Sequence, residues 1–384
     1  MQVGALVLED FRNYEHGSVT FSSGLNLVVG RNAQGKTNLL EAVHCLSGLG
    51  SPRAPDSALI RSGADHALIH ARVERDSRWV EIDMEYRPGR GTRALINKSP
   101  VSRAKALGDL VVTVFFGPDE LSLVKGSPDG RRRFLDELVV KLRPARYGIR
   151  REWERVLKQR NAFLKAQRTA PERDRESAAV WDETFCRAGA ALAAVRLEAL
   201  AALVPYALAR YEDVAGRGTL GLGYVSSWVP SGLFDDVLAG ARLDEAVLRD
   251  ALMARIEQLR IPEFERGQSL AGPQRDDVSV SLPSTIEGIE SLDARGFASQ
   301  GDQRTAALAL KLAEHDLLSN DLGQQPILLL DDVFSELDVD RRAWLADAVR
   351  GMGQTLLSST ERPTSDLSVD NVLEISGGKV VSGG

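Results

Sequence analysis

The chain has 384 residues, a length that favours two domains over one. Apolar residues make up 43% and charged residues 27%, with 15 prolines, which supports a sizeable core and argues against long disorder. A net charge of −6 excludes general adhesion to DNA or anionic membrane, so any basic surface must be local.

Short apolar runs bounded by turn residues predict strands at 3–8, 18–21, 25–29, 67–74, 79–86, 93–96 and 111–116. The strand at 25–29 runs directly into a glycine-rich loop. A helix follows it, with Leu39, Leu40, Val43, Cys45 and Leu46 at its apolar positions. Pro88-Gly89-Arg90-Gly91 reads as a hairpin connection. From about residue 127 to 260 apolar residues recur at helical spacing, with one strand candidate at 219–225. Strands return at 278–282, 327–330, 355–358, 372–375 and 379–381, with helices at 303–318 and 341–349 between them. The simplest organisation is an α/β domain, residues 1–126 and 261–384, split in sequence by a mainly helical domain at 127–260.

Two cysteines, Cys45 and Cys186, give neither a disulfide framework nor a zinc-type cluster. The longest apolar helix candidate, 188–204, is interrupted by Arg196 and Glu198 and falls short of the roughly 20 residues needed to cross a bilayer. No basic segment with a long apolar run opens the chain. The expectation is a soluble, cytoplasmic protein with no membrane partner.

Gly30-Arg31-Asn32-Ala33-Gln34-Gly35-Lys36-Thr37 matches the phosphate-binding loop pattern, with a strand before it and a helix after it. Glycines let backbone N–H groups converge on phosphate oxygens, and the helix N-terminus adds partial positive charge. Lys36 is the residue to neutralise the β- and γ-phosphates of ATP, and the Thr37 hydroxyl is the residue to hold Mg²⁺. Ile327-Leu328-Leu329-Leu330-Asp331-Asp332 supplies the acids: Asp331 for the metal, Asp332 to orient or deprotonate the attacking water. Lys36 and Asp331 stand 295 positions apart. That separation excludes a compact nucleotide kinase or GTPase.

Ser299-Gln300-Gly301-Asp302-Gln303-Arg304 lies 32 positions ahead of Asp331, at the start of a predicted helix. A serine hydroxyl and glycine N–H there can form an anion site. The segment resembles the signature of ABC-type ATPases, and Ser335-Glu336-Leu337-Asp338 resembles their D-loop. Further pieces are Phe11-Arg12-Asn13-Tyr14, Asn38-Leu39-Leu40-Glu41-Ala42 after the loop, Arg131-Arg132-x-Phe134-Leu135-Asp136, and Gly272-Pro273-Gln274-Arg275-Asp276-Asp277. Together they resemble the RecF family of ABC/SMC-like ATPases over nearly the whole chain.

The resemblance implies an ABC-type P-loop head with mixed sheets and an ATP site shared between two copies in a homodimer. Arg31, Asn32, Ala33, Gln34, Asn38 and Arg12 are implied on the nucleotide from one copy, and Ser299, Gly301 and Gln303 from the other. It also implies slow ATP hydrolysis used as a switch, binding to duplex DNA and to single-strand/double-strand gap junctions, and a role in loading RecA with RecO and RecR. The chain departs from the pattern at Gln274, where histidine is usual, and at Ser359-Thr360, where transporters carry a switch histidine. No glutamine follows the strand at 111–116; Asp119 and Glu120 stand there.

Between residues 131 and 168 there are 13 basic and four acidic side chains, a local charge of +9 that leaves −15 for the rest. On a helix at 149–165, Ile149, Trp153, Val156, Leu157, Phe163 and Leu164 share a face, and Arg151, Arg155, Lys158 and Lys165 lie opposite. Arg160 points towards the apolar side. Arg131, Arg132, Arg151, Arg155 and Lys158 are the DNA-contacting candidates, with backbone contact favoured over base stacking because aromatic residues are not interleaved. An SMC-like tether is the alternative, although 127–260 lacks sustained heptads. A transporter subunit fits less well, given the large insertion.

Overall fold

Strand β3, Leu25–Val29, is buried along its whole length, as expected of a strand covered on both faces. In the computed structural model it lies between β13 (Thr355–Ser359) and β14 (Asn371–Ser376), parallel to both. The parallel array continues from β13 through β12 (Ile327–Leu330) to β8 (Thr113–Phe116). Strand β15 (Lys379–Ser382) closes the other edge antiparallel to β14. Residues 1–382 are described except 102–106, 171–173, 217, 285–290, 338 and 362–367.

A second sheet is antiparallel, in the order β2-β1-β4-β5-β6-β7. Its strands are β1 (Gln2–Phe11), β2 (Tyr14–Thr20), β4 (Ala67–Arg75), β5 (Arg78–Arg87), β6 (Gly91–Ile96) and β7 (Ser99–Val101). Here burial alternates, with Ile69, Ala71 and Val73 inside on β4 and Ile82, Met84 and Tyr86 inside on β5. One core joins this face to Leu39, Leu40 and Val43 of the helix Lys36–Cys45 and to Ile327, Leu329 and Leu356 of the parallel sheet.

The chain divides into two compact units, Met1–Leu121 with Ala307–Gly384, and Ser122–Ala306. The second unit holds the helices Pro128–Leu142, Tyr147–Gln167, Arg175–Ala215 and Glu245–Arg266. It also holds a small antiparallel sheet, β11 (Ser291–Asp293), β10 (Asp277–Pro283) and β9 (Gly221–Val225). The division differs from the boundary expected at 260/261: residues 261–306 belong to the helical unit. Two features account for this. The helix Glu245–Arg266 continues through Pro262, and β10 pairs with β9 from Asp277↔Val225 to Ser281↔Gly221.

The helix Glu176–Ala215 is long and apolar enough, by length and composition, to cross a membrane, with 61% of its most apolar window buried inside the protein. This corrects the view that Arg196 interrupts it. Arg196 is buried and makes a two-pronged ion pair with Asp136, at 2.7 and 2.9 Å, which hides its charge within the helical unit. An apolar surface all round suits a helix enclosed by neighbours. This one packs against Pro128–Leu142, Tyr147–Gln167 and Glu245–Arg266.

Candidate nucleotide-binding site

Strand β3 ends at Val29, and the chain turns at once. A Cβ on Gly30 would come 2.4 Å from the Ile375 carbonyl oxygen on the neighbouring β14, so only glycine fits there. Gly35 takes φ 115° immediately before the helix Lys36–Cys45, where a side chain would also meet Asn13. Between them Ala33 is left-handed at φ 62°. The loop is fixed from outside: Asn13 Nδ2 donates to Gln34 O (3.0 Å), Gly378 N–H donates to the same oxygen (2.9 Å), and Tyr14 O–H donates to Gly35 O (3.0 Å).

Lys36 is buried, and its Nζ donates to the Gly30 and Arg31 carbonyls at 2.7 and 3.1 Å. Burial lowers its pKa from the ordinary lysine value, against the opposing pull of the Asp332 and Asp331 charges. Thr37 Oγ1 donates to Asp331 Oδ1 at 2.9 Å, so residues 294 positions apart meet at one oxygen. Asp331 follows β12 and Asp332 follows it in a left-handed turn, φ 53°. A cleft of about 280 Å³ is lined by Asn32, Ala33, Gln34, Gly35, Lys36 and Thr37, and beyond them by Asn38, Arg53, Asp331 and Asp332.

The donor set suits a hard cation. A hydroxyl and a carboxylate oxygen converge beside a lysine and a helix N-terminus, and Mg²⁺ is commonly held by one or two carboxylates together with phosphate oxygens. The residues present therefore fit Mg²⁺ and a nucleotide polyphosphate.

Other expected residues lie elsewhere. Arg12 is not among the residues lining the cleft: its guanidinium grips Glu41 at 2.7 and 2.8 Å and donates to Ala58 O at 2.9 Å. Burial would raise the Glu41 carboxyl, but the Arg12 and Ser51 hydrogen bonds and the Arg53 charge hold it below the usual range. The Arg12–Glu41 pair is buried on its carboxylate side and partly exposed on its guanidinium side. Arg53 was missed in the sequence, where an arginine in a loop carries no signal. It donates to Glu41 (3.0 Å) and Asn38 (3.2 Å) at the cleft wall. Ser358, also missed, donates to Asp331 Oδ1 at 2.7 Å.

The Ser299–Arg304 segment belongs to the helical unit. Ser299 caps the helix Gln300–Leu322: its Oγ accepts the Asp302 N–H (3.2 Å) and donates to Asp302 Oδ2 (2.7 Å). Gly301 lies in the first turn, its carbonyl accepting from Thr305 Oγ1 at 2.9 Å. The Gln303 side chain is buried and donates to Ala294 O at 3.0 Å, which braces the preceding segment. Gln274 donates to Ala271 O at 2.9 Å. In the D-loop-like stretch Ser335 Oγ donates to Asp332 O at 2.7 Å, and Asp338 lies outside the described residues.

The basic candidates separate into two groups. Arg131 is buried, with a bidentate grip on Asp277 at 2.7 and 2.8 Å and a bond to Gly126 O. Arg132 donates to the Asp276 carbonyl at 2.6 Å and pairs with Asp129. Both tie the helix Pro128–Leu142 to the start of β10, so their guanidinium groups are engaged within the protein. Arg151, Arg155 and Lys158 are exposed on the helix Tyr147–Gln167, Arg155 pairing with Glu152 at 2.6 Å. Arg160 is buried, as its position on the apolar side requires, between Asp182 (2.7 Å) and Glu263 (2.6 Å).

Residues 2–377 match the family described as RecF/RecN/SMC N terminal domain. The DNA replication and repair protein RecF of a Nocardioides species is 42% identical over 402 residues, with 94% of each chain covered. Two solved structures superpose on nearly the whole chain, each at 26% identity. That of the recombination mediator protein RecF-ATPrS in the RecFOR pathway has a TM-score of 0.87 and covers 99% of this chain and 97% of its own. That of RecF-ATP in the same pathway has a TM-score of 0.86 and covers 98% and 96%.

Proposed function

Because the chain belongs to the RecF/RecN/SMC N-terminal domain family, and to the RecF proteins within it, we propose that it is an ATP-switched DNA-binding protein of recombinational repair. Its fold is the family's ATPase head of mixed sheets, split in sequence by a helical insertion. The carrying observation is the meeting of Thr37 and Asp331 beside Lys36 at the N-terminus of a helix.

In this reading Lys36 exchanges its two loop carbonyls for β- and γ-phosphate oxygens of ATP. Thr37 and Asp331 hold Mg²⁺, which supplies charge neutralisation when bound. Asp332 orients the attacking water. The cap at Ser299 and Gly301 of a second copy closes on the γ-phosphate, so ATP stabilises the homodimer by linkage and slow hydrolysis releases it. The RecFOR pathway named for the structurally similar RecF suggests RecO and RecR as partners here. Single-strand gaps in duplex DNA are the proposed substrate, RecA loading the outcome, and the exposed Arg151, Arg155 and Lys158 the phosphate contacts.

Sedimentation with and without ATP and gapped DNA tests this in wild type and Asp332→Asn. The expected outcome is a monomer without ATP, a dimer with it, and a longer-lived dimer in Asp332→Asn, where hydrolysis is slowed. A sedimentation profile indifferent to both ligands sinks the proposal.

A further inference from the structure

The Asp331 carboxylate is held from two sides through one oxygen. Its Oδ1 accepts from Thr37 on the loop helix at 2.9 Å and from Ser358 on β13 at 2.7 Å. Ser358 Oγ in turn accepts the backbone N–H of Asp332 at 2.9 Å. The serine is fully buried, so neither bond is shared with solvent. A hydroxyl has one hydrogen to give. Here it goes to Asp331, and a lone pair takes the next residue's N–H.

The register makes this possible. Strands β12 and β13 run parallel with Leu330 beside Leu357, so Ser358 stands level with Asp331 where β12 ends. The second bond meets a particular need. Asp332 sits at φ 53°, a left-handed conformation unfavourable for a non-glycine residue that must be held by its surroundings. One side chain thus orients the first acid through its carboxylate and the second through its backbone.

We propose that Ser358 is a positioning residue of the metal–nucleotide site, engaging Asp331 Oδ1 so that Oδ2 faces the cation and holding Asp332 in its turn. The inference rests on the reading of Thr37 and Asp331 as the Mg²⁺ pair. Ser358 itself touches neither metal nor nucleotide. Without its hydroxyl, the Asp331 carboxylate can rotate about its Cβ–Cγ bond, and the Asp332 N–H loses its acceptor.

The test measures binding of a fluorescent ATP analogue by the full chain across a Mg²⁺ titration. Wild type is compared with Ser358→Ala, Ser358→Thr, Ser358→Cys and Asp331→Asn, each checked for folding by its melting curve. Affinity in EDTA is expected to be unchanged by the Ser358 substitutions. The Mg²⁺ concentration for half-maximal enhancement is expected to rise about tenfold in Ser358→Ala, equivalent to about 1.4 kcal/mol. Ser358→Thr, which keeps the hydroxyl, should stay near wild type, and Ser358→Cys, a weak donor, should fall between. If the alanine variant does not fold, the cysteine variant decides. A Ser358 series that superimposes on wild type while Asp331→Asn loses its Mg²⁺ response overturns the role of Ser358 alone. A wild type indifferent to Mg²⁺, or an Asp331→Asn variant matching it, overturns the metal pair and the Ser358 role together.

Discussion

Asp276 shows how far a single residue's setting can move its chemistry. Its carboxylate is buried in the helical unit and accepts from Tyr224 O–H at 2.8 Å and Trp228 Nε1–H at 3.0 Å. Burial nevertheless dominates those bonds and the attraction of Arg196, raising the pKa from 3.8 to about 6. A carboxyl whose pKa is higher folded than unfolded binds its proton more tightly in the native state. Its contribution to stability is therefore most favourable below pH 4 and declines as pH rises to about 6. Above that the cost is constant, on the order of 3 kcal/mol. Asp276→Asn removes the titration and keeps an acceptor. The stability of wild type relative to this variant, from urea midpoints, should fall as pH rises from 4 to 6.5. A constant difference across that range contradicts the shift.

At the scale of elements, the helical unit is pinned by buried ion pairs as well as by apolar packing. Arg160, 2% exposed, joins three helices: it lies on Tyr147–Gln167, Asp182 on Arg175–Ala215, and Glu263 on Glu245–Arg266. Its guanidinium also stacks over Phe185 at 4.5 Å and donates to Ser269 at 2.7 Å. Removing one member of such a cluster leaves uncompensated buried charge. Arg160→Ala is expected to lower unfolding stability by about 3–5 kcal/mol, measured in urea, with nucleotide binding by the head retained. A change below about 1 kcal/mol would mean that the two acids find other partners. The same packing bears on the tether alternative: Arg175–Ala215, the longest of these helices, has neighbours on several sides within its own unit and is not a free arm.

For the whole molecule the decisive quantity is charge distribution. The excess of +9 at 131–168 overstates the basic surface, because Arg131 and Arg160 are spent on internal pairs. Arg151, Arg155 and Lys158 remain exposed on one helix. If they contact phosphates, replacing all three by alanine should weaken DNA binding uniformly across sequences. It should also flatten the plot of log affinity against log salt by about 0.9 per lost contact, to a total near 3. Binding to gapped duplex at several salt concentrations reads both effects. An unchanged slope places the DNA on another surface.

The phosphate loop, the acid pair and the strands around them were legible in the sequence because their signals are local: a glycine pattern, a buried apolar run, a change of period. The arginines were legible only as charge. Whether Arg12, Arg131 and Arg132 face a ligand or an internal acceptor depends on the Glu41 and Asp277 carboxylates and the Asp276 carbonyl, distant in sequence, which no local pattern reveals. The boundary after the helical insertion was hidden for the same reason, since pairing between β9 and β10 is non-local. By itself the sequence determined the chemistry that can occur at the loop, because residue type and spacing limit which atoms can meet a phosphate. Only the tertiary structure decided how the acids opposite that loop are held. Parallel pairing of β12 and β13 brings Ser358 level with Asp331, and a hydrogen bond across strands forms only where the register allows it.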